Sequence, residues 1–340
     1  MTADDTVIAC RDGRVGRILL NRPKALNALD MAMIRACADS LRTWREEPHV
    51  HAVVIEGAGD RAFCAGGDIR ALRDQQVAGD RAAVDVFFTE EYALNLMIAT
   101  YPKPYVALID GICMGGGIGL SVHAPYRVAT EHAAFAMPET AIGFFPDIGA
   151  TYFLPRLPGQ LGLYLGLTGL RATGGDAVHA GLATHFVPRA RIAELSTALA
   201  RDGVAALPAF AEPPPAFSLA EHLEQIDHCF SAETVAGIVA RLEAITNAAG
   251  GQWAEPALKA LRTVSPSALH WTLLALRRGG NLTLSQALDA EFRLTRTTMA
   301  HPDFAEGVRA MVVDKDRKPA WQPPLIEAVD PAAIAALFDV

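Results

Sequence analysis

Residues 105–122 read YVALIDGICMGGGIGLSV. The first six residues, YVALID (105–110), form a short strand. The glycine turn DGICMGGGIGL (110–120) follows it and opens a helix, GGIGLSVHA (116–124). The whole stretch is the longest apolar run in the chain, but Asp110 and the glycines interrupt it, so it reads as a buried strand, turn and helix and not as a membrane span. A strand feeding a helix in this way predicts crossover connections and parallel pairing.

The same alternation extends on both sides. TVIACRD and RVGRILLN flank Gly13 and predict a hairpin. Met33, Ile34, Cys37, Leu41 and Trp44 recur at helical spacing within 31–47. HAVVIEGA (51–58) is a strand, AFCAGGDIR (62–70) a glycine turn leading into a short helix, 84–101 a long helix, and YRVAT (126–130) another strand. Beyond about residue 200 the character changes. LPAFAEPPPAF (207–217) reads as a proline-rich linker, and the rest predicts helices over 218–230, 233–249, 256–264, 266–279 and 284–300. The expected architecture is an α/β core over 1–205 followed by an α-helical C-terminal region over 206–340.

Composition narrows the function classes. Hydrophobic residues make up 51% of the 340 residues and the formal net charge is −8. A chain this apolar can bury a substantial core. Its acidity argues against nucleic acid as a partner, because neutralising phosphates takes a basic surface. The five cysteines are scattered without a CxxC pair, which fits a reducing compartment and gives neither a disulfide framework nor a zinc site. The start MTADDTVIAC has no basic n-region. With no Arg/Ser-rich leader apparent, the expected location is cytoplasmic.

Glycines at two strand ends are the first chemical signal. FCAGGDIR (63–70) and DGICMGGGIGL (110–120) each follow a strand, and glycine lets backbone N–H groups approach a ligand closely. Two amides aimed at one point form an oxyanion hole; a packing turn is the plain alternative. Nucleotide readings fail on detail, since Leu120 stands where the third glycine of GxGxxG belongs and no Gly-Lys-Ser/Thr follows. The histidines lack metal-ligand spacing, and Ser121 lacks the first glycine of a nucleophile elbow. The second signal is MPETAIGFFPD (137–147), with Glu139 and Asp147 each preceded by a proline and separated by an almost wholly apolar segment. Either both are solvated loop acids, with Asp147 capping a helix from Ile148, or they sit in an apolar cleft suited to acid–base or nucleophilic work.

These segments together with NRPKALNALD (21–30) and AMPETAIGFFPDIGATYFLPRL (136–157) resemble the crotonase, or enoyl-CoA hydratase/isomerase, superfamily. The similarity is strongest to its subfamily of 3-hydroxyisobutyryl-CoA hydrolases of valine breakdown, and it continues through 285–321. The resemblance implies a ββα spiral core and assigns the amides of Gly67 and Gly116 to the oxyanion hole. It implies a CoA-binding entry at Lys24, Ala25 and Leu26, a further phosphate contact from Lys315, and a substrate-contacting acid at Glu91, whose neighbour Glu90 blurs the register. Resembling hydratases carry two catalytic glutamates, one at the position of Gly119 and one at that of Glu139. This chain has lost the first acid and gained Asp147, the pattern of the hydrolases. Glu139 then attacks the thioester or activates water, and Asp147 positions the substrate hydroxyl or assists proton transfer. No metal or redox cofactor is implied, CoA being part of the substrate. An enoyl-CoA hydratase/isomerase and a non-catalytic acyl-CoA-binding protein are the alternatives. The implied partner is an acyl-CoA, with no nucleic acid and no membrane, and a homo-oligomer stays open.

Overall fold

Valine- and isoleucine-rich runs become strands, and the computed structural model, which describes residues 5–338, arranges them in two sheets. The chain divides by its internal packing into two units. The first contains the residues up to Asp68, Thr89–Phe135 and Ala172–Ser218; the second contains Ile69–Phe88, Ala136–Arg171 and everything from Leu219.

In the first unit β1 (Val7–Asp12) and β2 (Val15–Leu20) form the expected antiparallel hairpin about Gly13. β2 then pairs in parallel with β3 (Ala52–Gly57), which pairs with β5 (Tyr105–Ile109). β5 pairs with β7 (Tyr126–Ala129), and β7 with β10 (His185–Phe186), both in parallel. A second sheet has the order β4 (Ala62–Cys64), β6 (Ile112–Met114), β8 (Ala134–Ala136) and β9 (Ala172–Thr173). Parallel strands have both faces covered and so read as continuous apolar runs. That is why all five residues of β5 are buried. Val15, Val54, Val106, Val128, Leu195 and Leu199 meet in one apolar cluster.

The helix Met31–Glu46 begins where Asp30 accepts a hydrogen bond from the Met33 N–H at 2.9 Å. Such a cap contributes about 1 kcal/mol. Its buried face is the one the spacing predicts, Met33, Ile34, Cys37, Leu41 and Trp44. The segment read as a linker is strapped to the first unit. Glu212 N–H donates to the Phe186 carbonyl at 2.9 Å, the His179 and Phe217 rings stack at 5.2 Å, and Ser218 donates to Asp176.

The helical stretch expected beyond the linker is found in the second unit as Leu223–Phe230, Val235–Thr246, Glu255–Thr263, Pro266–Gly279 and Leu284–Ala300. Three starts carry side-chain caps, from Thr234, Ser265 and Thr283, the last within a capping box with Gln286.

Candidate functional site

The first unit brings the two glycine turns together. Leu29 bridges Gly67, its N–H donating to the Gly66 carbonyl at 2.8 Å while the Asp68 N–H returns to the Leu29 carbonyl at 2.8 Å. This pairing uses the carbonyl just before Gly67 and the N–H just after it. Gly116 opens the short helix Gly116–Gly119, in which the Ile118 and Gly119 N–H groups donate to the Gly115 carbonyl at 2.8 and 3.2 Å, so the ladder begins two residues after Gly116. A Cβ added at Gly116 would lie 3.4 Å from the Gly67 nitrogen, 3.1 Å from Leu29 Cδ1 and 2.4 Å from Glu91 Oε1. The two amides and the Glu91 carboxylate therefore crowd one small space, which only a glycine at position 116 leaves open.

This geometry separates the neighbouring acids on the helix Arg81–Ala99. Glu90 forms a two-point ion pair with Arg35, each contact at 2.7 Å, and that partner holds its carboxyl below the usual range. Glu91 points the other way, 3% exposed, toward Gly116. No thiol in this region is poised as a nucleophile. Cys64 and Cys113 are fully buried, and burial pushes the Cys113 thiol up to about 12.

In the second unit Glu139 opens a 3-10 turn, Glu139–Ile142, immediately after Pro138. It is 7% exposed and Asp147 5%, so neither is a solvated loop acid. The segment between them is apolar and tightly held. Phe144 packs on Phe88, Phe145 and Phe304 at ring distances of 5.9, 4.7 and 5.9 Å, and its carbonyl accepts from the Trp271 indole at 3.3 Å. Each aromatic pair of this kind contributes about 0.5–1.5 kcal/mol beyond its buried area.

Asp147 does not cap a helix from Ile148. The Asp147 carbonyl accepts from the Ala150 N–H at 2.8 Å, closing a turn in which Ile148 and Gly149 have φ values of 55° and 83°. The helix begins only at Ala150, with no side-chain cap. A left-handed β-branched residue costs about 1–3 kcal/mol and persists only where its surroundings fix it.

Here the structure supplies a residue that sequence reasoning missed. Glu291, 1% exposed on the helix Leu284–Ala300, accepts from Gly149 N at 2.7 Å, Thr151 N at 2.9 Å and Thr151 Oγ1 at 2.6 Å. Burial foremost, with the nearby charge of Asp147, pushes its carboxyl up to about 8 against the pull of those donors. A signal was available: Glu291 stands in register with Ala287, Leu288, Leu294 and Thr298, on the apolar stripe of its helix.

The expected CoA-contacting residues lie elsewhere on the chain. Lys24 and Ala25 are exposed in the turn Pro23–Ala25, and Leu26 follows at φ 54°. Buried Asn27 ties this turn down, its amide donating to the Ala58 and Ala62 carbonyls at 3.0 and 2.9 Å. Lys315 is exposed in a loop of the second unit, between Asp314 and Asp316, both of which Arg309 binds at 2.7 Å.

Residues 15–338 match the family model described as enoyl-CoA hydratase/isomerase. The chain belongs to that family. Among curated relatives it is 48% identical over 347 residues to the mitochondrial 3-hydroxyisobutyryl-CoA hydrolase of Xenopus tropicalis, covering 98% of this chain and 89% of that protein. The human mitochondrial 3-hydroxyisobutyryl-CoA hydrolase is 45% identical over 333 residues, covering 94% and 85%. Among solved structures, one described as an enoyl-CoA hydratase from Rhodobacter sphaeroides superposes with a TM-score of 0.92 at 45% identity, covering 98% of this chain and 97% of that one. Another, described as a carnitinyl-CoA dehydratase from Mycobacterium thermoresistibile, gives 0.94 at 42% identity, covering 98% and 96%. The fold is the α/β crotonase fold of this family with its C-terminal helical region.

One expectation is overturned. The curated relatives are named as mitochondrial proteins, so the cytoplasmic location expected from the lack of an Arg/Ser-rich leader does not stand. A compartment address is read from a leader by a receptor and leaves no mark on the composition of the folded body.

Proposed function

We propose that this chain hydrolyses a short β-hydroxyacyl-CoA thioester, with 3-hydroxyisobutyryl-CoA as its preferred substrate. The observation that carries the reading is the pair of buried acids, Glu139 and Asp147, on one segment, in a chain whose glycine-turn helix offers Gly119 where a hydratase needs its second acid. Relatives named as hydrolases of this thioester support it.

In the proposed reaction the Gly67 and Gly116 amides receive the thioester oxygen as it becomes an oxyanion. Glu139 either attacks the carbonyl carbon, giving an acyl anhydride that water opens, or takes the proton from an attacking water. In both routes the C–S bond breaks and CoA leaves as the thiol, while the acyl group leaves as the carboxylate. Asp147 engages the β-hydroxyl, and Glu91 borders the acyl group beside Gly116. Lys24, Ala25, Leu26 and Lys315 serve the CoA moiety, the two lysines facing its phosphates as solvated point charges. We also propose that no nucleic acid takes part.

A hydratase is the second reading, favoured by the descriptions of the two superposing structures. Purified protein is given 3-hydroxyisobutyryl-CoA and, separately, crotonyl-CoA, while free thiol and enoyl absorbance are followed. Thiol release from the first with little hydration of the second is the expected result. Rapid hydration without thiol release overturns the proposal, and tight binding of both without turnover would make the chain an acyl-CoA-binding protein.

A further inference from the structure

We propose that Glu291 is a positioning residue for Asp147, clamping the turn that carries this acid and so setting the preference for a hydroxylated acyl group. The inference rests on the reading of Asp147 as the group that engages the substrate hydroxyl.

Three observations carry it. First, all three hydrogen bonds that Glu291 accepts come from the residues just after Asp147, namely Gly149 N, Thr151 N and Thr151 Oγ1. Second, that turn has an unfavourable backbone. It places Ile148, a β-branched residue, at φ 55° and hands over at Gly149 to a helix with no side-chain cap. Glu291 supplies from a different helix the acceptors that a capping side chain would have given. Third, the residue is a poor choice for a merely structural tie. Among the described residues no Lys, Arg or His forms an ion pair with Glu291, and a buried acid without a cation is costly. A carboxyl whose proton is shared with Thr151 Oγ1 still offers lone pairs on both oxygens to the Gly149 and Thr151 N–H groups, whereas the N–H₂ of Gln could accept from neither. The Asp147 charge also acts on Glu291, which places the two acids within each other's field.

A residue that sets the Asp147 carboxylate affects recognition of the hydroxyl, while one that only holds the fold affects every substrate alike. The test compares 3-hydroxyisobutyryl-CoA with isobutyryl-CoA, which lacks the hydroxyl, by kcat/KM, with single-turnover measurements where hydrolysis is slow. Asp147→Asn, Glu291→Gln and the milder Thr151→Val are assayed beside the parent. Glu291→Gln is expected to lower the preference for the hydroxylated thioester on the order of ten-fold, one good hydrogen bond's worth of misplacement. Thr151→Val lowers it by less, and decides the matter if the Gln variant does not fold. Asp147→Asn together with Glu291→Gln is expected to lose no more preference than Asp147→Asn alone. If Asp147→Asn collapses the preference while Glu291→Gln and Thr151→Val lower both substrates equally or not at all, the clamp is overturned and the role of Asp147 stands. If Asp147→Asn leaves the preference intact, the reading of Asp147 falls and the clamp falls with it.

Discussion

In the proposed reaction the glycine turns of the first unit and the acid-bearing segment of the second act by opposite means. Around Gly67 and Gly116 the chemistry is backbone, and what the sequence provides is the absence of side chains, down to the single methyl that would meet Glu91. Between Glu139 and Asp147 the chemistry is in the side chains, and the sequence surrounds them with large apolar residues to hold them. The first kind of site is damaged by adding atoms, the second by changing charge at constant shape. Mutagenesis can therefore tell the two apart.

The largest effect is expected from Glu139→Gln, which keeps shape and burial and removes the charge. Its kcat on 3-hydroxyisobutyryl-CoA is expected to fall on the order of 10²–10⁴-fold or more, with binding of the thioester largely retained. Stopped-flow thiol detection checks it, and near-parental turnover would move the chemistry to another acid. Next is Gly116→Ala. The added Cβ, 2.4 Å from Glu91 Oε1, displaces either the amide or the carboxylate. A loss on the order of 10²–10³ in kcat is expected, the usual cost of an oxyanion donor. If kcat holds while KM alone rises, the turn binds substrate without stabilising the oxyanion, and the contrast between the units weakens.

The smallest effect concerns stability rather than rate. Burial pushes the Glu291 carboxyl up from its ordinary 4.5 to about 8, so the folded state holds its proton more tightly. Its contribution to stability is whole below the unfolded value and is lost as the pH rises through the folded one. Calorimetry across that interval should show a falling Tm in the parent and a flatter profile in Glu291→Gln, which has no proton to lose there. Parallel profiles would mean that Glu291 is ionised in the native state and that its three donors outweigh its burial.

The hairpin about Gly13, the strand Tyr105–Ile109 and the face of Met31–Glu46 were all legible in the sequence, because each follows from local periodicity and turn chemistry. The burial of Glu139 and Asp147 was legible only through the family resemblance, because Met137, Phe144 and Phe145 beside them still left a solvated loop open. The choice between Glu90 and Glu91 was not, since it depends on Arg35, 55 positions before Glu90 in the chain. Nor was the hold of Glu291 on Gly149, which spans 142 positions. The strap at 207–217 was read as a linker for a similar reason: its prolines mark where helices cannot form, but not which surface the extended chain lies against.

The interleaved division of the chain has a consequence for its synthesis. The first unit draws its last piece from Ala172–Ser218, and the second waits for the helices beyond Leu219 to join segments laid down as early as Ile69–Phe88. At roughly 5–20 residues per second, a ribosome needs on the order of ten seconds to make the last third of the chain. Over much of that interval the segment bearing Glu139 and Asp147 has been made but waits for Trp271, Glu291 and Phe304, which pack on it and clamp it. The nascent chain therefore leaves this apolar, acid-bearing stretch uncovered until its last helices are made.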